Sequence, residues 1–141
     1  MLRVTVICQG RLKEKYYQGA CEEYIKRLAG YCQPEILELA EDADPMPRIP
    51  RGAYVIALCV EGEKTDSPGL AARLERLALA GKSRVCFLIG GSEGLPPRAR
   101  AAADWRLSMS DMTFPHHLAR VMLLEQLYRA FTILAGAKYH K

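Results

Sequence analysis

Three short segments carry residue types whose spacing suits chemistry. The first is Phe87-Leu88-Ile89-Gly90-Gly91-Ser92-Glu93-Gly94-Leu95-Pro96, an apolar strand running into three glycines. Glycine lets the backbone enter conformations closed to other residues and lets a ligand approach the main chain. The spacing is not the dinucleotide G-x-G-x-x-G, and no G-K-[ST] follows as in a phosphate loop. From composition alone the run reads as a tight strand-to-helix turn. The second segment runs from Leu107 to Arg120 and contains Met109-Ser110-Asp111-Met112-Thr113-Phe114-Pro115-His116. A small polar loop there meets a proline-initiated helix, with His116 and Arg120 one turn apart on one face. An imidazole so placed can move a proton or orient its loop. A guanidinium can hold phosphate or stabilise a developing anion, or can form an ion pair at an interface. The third segment is Ala137-Lys138-Tyr139-His140-Lys141. Taken alone, a histidine in such a place is usually a solvated side chain.

Other chemistries find no support. The cysteines, Cys8, Cys21, Cys32, Cys59 and Cys86, are odd in number and include no C-x-x-C pair. Neither a disulfide framework nor a zinc site is expected. Cys8, Cys59 and Cys86 lie in apolar runs and read as buried reduced thiols of a cytoplasmic protein. The segment Met1–Cys8 is too short for a signal peptide, and no apolar run reaches the length of a membrane span. Residues 1–95 carry 13 basic and 13 acidic side chains, whereas residues 96–141 carry seven basic and three acidic. The excess of positive charge in the last third is compatible with a polyanionic partner.

The elements that must position these segments alternate. Leu2–Cys8 reads as a buried strand and Lys13–Ala29 as an amphipathic helix with Tyr17, Cys21, Tyr24 and Leu28 at helical spacing. Glu35–Leu39 is a short strand. Residues 41–50 hold three prolines and read as a loop without regular structure. Ala53–Val60 is a third strand. Ser67-Pro68 starts a helix with Ser67 as N-cap. Arg84–Ile89 is a fourth strand, Pro97–Ala103 a short helix, and Trp105–Ser108 a fifth strand. Pro115 to about Ala135 is the longest helix. The alternation predicts an α/β fold with a mainly parallel sheet covered by helices on both faces, in one domain spanning residues 1–141. Ligands of such sheets bind beyond the carboxyl ends of the strands, which points to the loops Val60–Gly62, Gly90–Pro97 and Met109–Pro115. The long helix is apolar nearly all round, with Leu118, Val121, Met122, Leu127 and Phe131 among its residues. It therefore needs more than one face buried, and a subunit interface is expected.

In this order the segments resemble the SPOUT-class ribosomal RNA large-subunit methyltransferase H family. The resemblance is carried by Gly10-Arg11-Leu12-Lys13-Glu14-Lys15-Tyr16, Ile89–Leu95, Ser108–His116, Glu125-Gln126-Leu127-Tyr128-Arg129-Ala130 and Tyr139-His140-Lys141. It spans nearly the whole chain. Its members methylate N3 of a pseudouridine in the helix 69 region of 23S ribosomal RNA. The resemblance implies a C-terminal deep trefoil knot that wraps S-adenosyl-L-methionine, and a homodimer formed through the last helix. Substrates implied are ribosomal RNA in the ribosome or large subunit, with no membrane and no metal. Alternatives are a SPOUT enzyme for another ribosomal position or for transfer RNA, and a noncatalytic RNA-binding assembly factor. One departure is visible: family members carry a longer charged helical insertion between strands two and three, where this chain has the short proline-rich Glu41–Arg51.

Carried onto this sequence, the cofactor positions are Leu58, Gly90 and the run Met109, Ser110, Asp111, Met112, Thr113 and Phe114. The catalytic candidates are His140, with Tyr139, Arg120 and His116. The imide N3–H of pseudouridine is a weak acid, so a positioned base would help to remove its proton. His140 is the first candidate for that base and His116 the second. Lys13, Lys15, Lys138 and Lys141 are candidate phosphate contacts.

Overall fold

Alternation decides the first strand. In β1 (Arg3–Gln9) Val4, Val6 and Cys8 point to one face and Thr5, Ile7 and Gln9 to the other, and all six are buried. With both of its faces buried, β1 must lie inside a sheet covered on both sides. The computed structural model, which describes all residues Met1–Lys141, shows this arrangement. Five strands, β1, β2 (Gln33–Leu39), β3 (Tyr54–Lys64), β4 (Arg84–Ile89) and β5 (Trp105–Ser108), are ordered β2-β1-β4-β3-β5. Every pairing is parallel.

Helices α1 (Lys15–Leu28), α2 (Ser67–Leu79) and α4 (His116–Leu134) cover one face. There Cys21, Leu28, Leu70, Leu74, Leu123, Leu124 and Leu127 pack on Val4, Val6, Phe87 and Ile56. The other face is covered by the short α3 (Pro97–Ala102), whose Ala99 meets Ile7, Ala57, Cys86 and Leu88. Ala43, Met46 and Ile49, from the segment between β2 and β3, complete that layer. The parallel α/β architecture with helices on both faces is as expected. All five cysteines are free and buried, and burial pushes the Cys8 and Cys86 thiols up to about 12, which removes them as nucleophiles at neutral pH.

Some boundaries differ from expectation for identifiable reasons. The cap of α2 is Asp66, not Ser67: its carboxylate accepts from the Gly69 N–H at 2.8 Å. Ser67 instead donates to Gln126 Oε1 at 2.6 Å and ties α2 to α4. The segment expected to be wholly irregular contains one 3-10 turn, Met46–Arg48, which Pro47 accommodates at its start. Strand β3 runs on to Lys64, so Val60–Gly62 is an irregularity inside the strand and not a loop leaving it. Leu58 and Glu63 both register with Leu107 of β5, and the residues between are looped out. Gly62 makes this possible, because a Cβ there would sit 2.7 Å from the Arg106 carbonyl oxygen.

Candidate active site

The C-terminal ends of β3, β4 and β5 open into one cavity of about 620 Å³. That volume suits a single nucleoside-sized ligand. Its wall brings together Leu58, Gly90, Met109, Ser110, Met112, Thr113 and Phe114, seven of the eight positions expected to hold the cofactor. Ile89, Leu95 and Leu107 supply further apolar surface, and His116 stands at the rim. Asp111 does not line the cavity. Its exposed carboxylate lies 2.5 Å from Lys64 Nζ, on the outside of the loop. Between Ser108 and Met112 the loop holds its own shape: Ser108 Oγ donates to the Ser110 carbonyl at 3.0 Å, and Met112 N–H donates to Ser110 Oγ at 3.0 Å.

The glycine turn departs from the expected reason for its glycines. Only Gly94, at φ +77°, needs the left-handed region. Gly90 is required by packing, since a Cβ there would lie 2.4 Å from Leu95 N and 2.5 Å from the Gly94 carbonyl carbon. Two successive amides of this turn are already occupied. Gly91 N–H donates to Gln9 Oε1 at 3.2 Å, and Ser92 N–H donates to Glu41 Oε1 at 2.8 Å. Both amides are thus taken up by the chain's own oxygens. Neither Gln9 nor Glu41 belongs to a recognisable motif, and their contribution was not legible before the strands were assembled.

His116 has its ring 4.3 Å from that of His117, which in turn donates to Glu14 Oε1 at 3.1 Å. Burial, with the neighbouring His117, lowers the His116 pKa below its ordinary value of 6.5, so the ring is neutral at pH 7 and able to accept a proton. Arg120, one turn further on, is not available for phosphate or for a developing anion. It is 1 % exposed, with Nη1 at 2.5 Å from Glu38 Oε2 and Nη2 donating to the Gly10 carbonyl at 3.1 Å. Glu38 also accepts from Leu12 N–H at 2.8 Å. The arginine thus fastens the β1–α1 connection and the end of β2 to α4. Its replacement by alanine strips Glu38 and Gly10 of their partner. A loss of about 2–4 kcal/mol in unfolding free energy is expected from urea denaturation, with no rescue by lysine, which lacks the fork geometry.

The last residues lie elsewhere. Gly136, at φ +72°, turns the chain back after α4. The returning tail packs on the C-terminal half of the same helix and does not reach the cavity. Tyr139 Oη donates to Glu125 Oε2 at 2.8 Å and its ring meets Tyr128 edge-on at 4.8 Å. Arg129 donates to His140 Nδ1 at 3.2 Å and pairs with Glu125 at 2.9 Å. The hydrogen bond to Glu125 pushes the Tyr139 phenol up to about 12, so it stays protonated. Arg129 is 13 residues beyond His116, about 20 Å along the helix at 1.5 Å per residue. His140, resting on Arg129, and His116 therefore lie toward opposite ends of α4. Lys13, Lys15, Lys138 and Lys141 are exposed.

A parallel sheet of this order, with a cofactor-sized cavity built from three strand-end loops and the start of a long helix, defines a SPOUT-type methyltransferase fold. Solved structures agree on the fold. A probable methylase family protein from Haemophilus influenzae aligns with a TM-score of 0.63 at 11% identity, covering 99% of this chain and 70% of the other. The tRNA (m1G37) methyltransferase from Aquifex aeolicus aligns with a TM-score of 0.59 at 16% identity, covering 99% and 73%. The family described as Predicted SPOUT methyltransferase matches residues 2–140, and this chain belongs to it. Among curated relatives, it is similar to the Ribosomal RNA large subunit methyltransferase H of Ruminiclostridium cellulolyticum, 40% identical over 159 residues covering 99% of this chain and all of that protein. The protein of the same name from Bifidobacterium adolescentis is 43% identical over the same span. The alignments run over 159 positions against 141 residues here, so the relatives carry residues that this chain lacks. SPOUT methyltransferases take their methyl group from S-adenosylmethionine.

Proposed function

We propose that this protein methylates N3 of a pseudouridine in large-subunit ribosomal RNA, acting in the cytoplasm as a homodimer. The full-length likeness to relatives named for the large-subunit ribosomal RNA carries the reading. The cavity supports the donor: Leu58, Met109 and Phe114 offer an apolar slot for adenine, and Gly90, with no side chain, lets a ligand come close to the main chain. When bound, S-adenosylmethionine supplies a methyl group already activated on a sulfonium sulfur. The chain's own residues then have three tasks: to hold the acceptor ring over the cavity, to exclude water and to take the N3 proton.

For the proton we assign His140 first and His116 second. His116 stands at the cavity rim and is neutral at pH 7. His140 lies in the tail after α4 and rests on Arg129, far along the helix from the cavity, so in this reading the tail of a second copy brings His140 and Tyr139 to the cavity. Tyr139 would stack on the base, and Lys138 and Lys141 would meet phosphates. The test is mass spectrometry of ribosomal RNA from a strain lacking the protein. Loss of one methylated pseudouridine from the large-subunit RNA is expected. Loss of a methyl group from transfer RNA or from another ribosomal position would overturn the assignment. Calorimetric titration with S-adenosylmethionine separates an enzyme from a noncatalytic binder.

The dimer rests on α4. Its Leu118, Val121 and Met122 stay half-exposed after α1 and α2 have packed against the helix, and Leu134 is exposed. Apolar surface gathered on one helix is costly to leave in water. Sedimentation at micromolar concentration is expected to show a dimer, and a stable monomer there would refute this interface.

A further inference from the structure

We infer that Gln9 and Glu41 form a two-point clamp on the cofactor turn, and that Glu41 is a positioning residue setting the affinity for S-adenosylmethionine. The inference rests on the assignment of the cavity to that donor. Its basis is the chain of contacts beneath the turn. Gln9, 4 % exposed at the end of β1, reads both sides of the gap: its Oε1 accepts from Gly91 N–H and its Nε2 donates to the Ala43 carbonyl at 2.8 Å. Glu41 continues the line one residue on, accepting from Ser92 N–H at 2.8 Å and from Ser92 Oγ at 3.0 Å. Asp44 then pairs with Arg98 of α3, just beyond the turn.

Two glycines make room for the carboxylate. A Cβ on Gly10 would sit 2.5 Å from Glu41 Oε2, and one on Gly91 would sit 2.4 Å from Glu41 Oε1. Glu41 is an exposed residue, but its carboxylate rests against the main chain of Gly10, just after β1, and of the turn, with its acceptors aimed at one side of the cavity wall. Gly91 and Ser92 line that wall. Backbone amides bonded to a carboxylate are held more firmly than amides bonded to water, because charge-assisted bonds are shorter and stronger. A turn held in the bound shape before the ligand arrives loses less freedom on binding. The short proline-rich segment after β2 is thereby joined to the cofactor site.

The experiment is calorimetric titration of the intact protein with S-adenosylmethionine, beside Glu41→Ala, Glu41→Gln, Ser92→Ala and the double variant Glu41→Ala/Ser92→Ala. Glu41→Ala is expected to weaken binding about tenfold, the range of one lost hydrogen bond to a charged group. Glu41→Gln keeps an acceptor for Ser92 N–H and is expected to recover most of the loss. In the Glu41→Ala background, Ser92→Ala is expected to have no further effect. In methylation assays the loss falls on KM for the donor more than on kcat. Parental affinity in Glu41→Ala overturns the clamp. So does a loss that Gln fails to restore and that tracks a fall in the thermal midpoint, since that marks a merely structural residue. A parent protein that does not bind the donor overturns both the clamp and the cofactor assignment on which it rests.

Discussion

Removal of Tyr139-His140-Lys141 is expected to reduce methylation of ribosomal substrate by about three orders of magnitude, the range of a lost general base with its positioning partners. Affinity for S-adenosylmethionine is expected to stay near the parental value, because none of the three residues lines the cavity. The tail is not a set of freely solvated side chains. Tyr139 and His140 are each half-buried and bonded to Glu125 and Arg129. The structure adds a condition, since both lie on the far half of α4 from the cavity of their own protomer. If the tail completes the partner's site, activity should return when the truncated chain is mixed with a chain that keeps its tail but carries a disabled cavity. Heterodimers would then hold one complete site. Single-turnover methylation measures both results. Near-parental rates in the truncated protein would remove the tail from the chemistry, and no recovery on mixing would confine each tail to its own subunit. His140→Ala divides the tail further. A loss in the chemical step with unchanged RNA affinity marks a base, whereas a loss of RNA affinity alone marks a binding contact.

Gly90→Val is expected to abolish measurable cofactor binding while the dimer persists. The physical cause differs from the one that the strand-and-glycine pattern suggests. A larger side chain would first strike the turn itself, because the Cβ alone lies 2.4 Å from Leu95 N. Main-chain atoms cannot swing aside as a flexible side chain can, so the turn must open. Opening it also disturbs Gly91 and Ser92, whose amides are spoken for by Gln9 and Glu41. It follows that Gly90→Ala should be almost as damaging as Gly90→Val, since both introduce the offending atom. If the adenosine slot were the obstacle, alanine would be mild and valine severe. Titration of the two variants, with sedimentation as the control for assembly, distinguishes the causes. Donor binding by Gly90→Val at the parental affinity would remove this turn from the site.

Much of the fold was legible because its signals are local. The apolar runs of β1 and β4, the proline at the start of α2 and the length of α4 depend on residues within a few positions of one another, whereas the cap of α2 was read one residue late, at Ser67 instead of Asp66. The loops after β4 and β5 were legible because strand ends in a parallel sheet face one way, whereas Leu58 came only from the family resemblance and Val60–Gly62 proved to lie within β3. Asp111 was misplaced because its neighbours say nothing about which way a loop side chain turns. Once the backbone bends around Ser110, the carboxylate faces Lys64 and solvent.

What the sequence by itself determined was therefore the set of elements, the strand-end loops that hold the cavity, and the family resemblance that the full-length relatives bear out. Tertiary structure decided the use of the polar side chains. A one-residue alternation cannot tell that Arg120 will meet Glu38, 82 positions away, and be sealed from phosphate. Nor can it tell that Gln9 and Glu41 will reach the amides of Gly91 and Ser92, or that His140 will rest on Arg129. These contacts join residues far apart in the chain. Their geometry exists only after the hydrophobic layers have set the distances between strand ends and helix, because hydrogen bonds act over about 3 Å and tolerate little misalignment. Hydrophobic burial is nondirectional and follows from pattern, whereas directional polar contacts follow from the position that burial has already imposed.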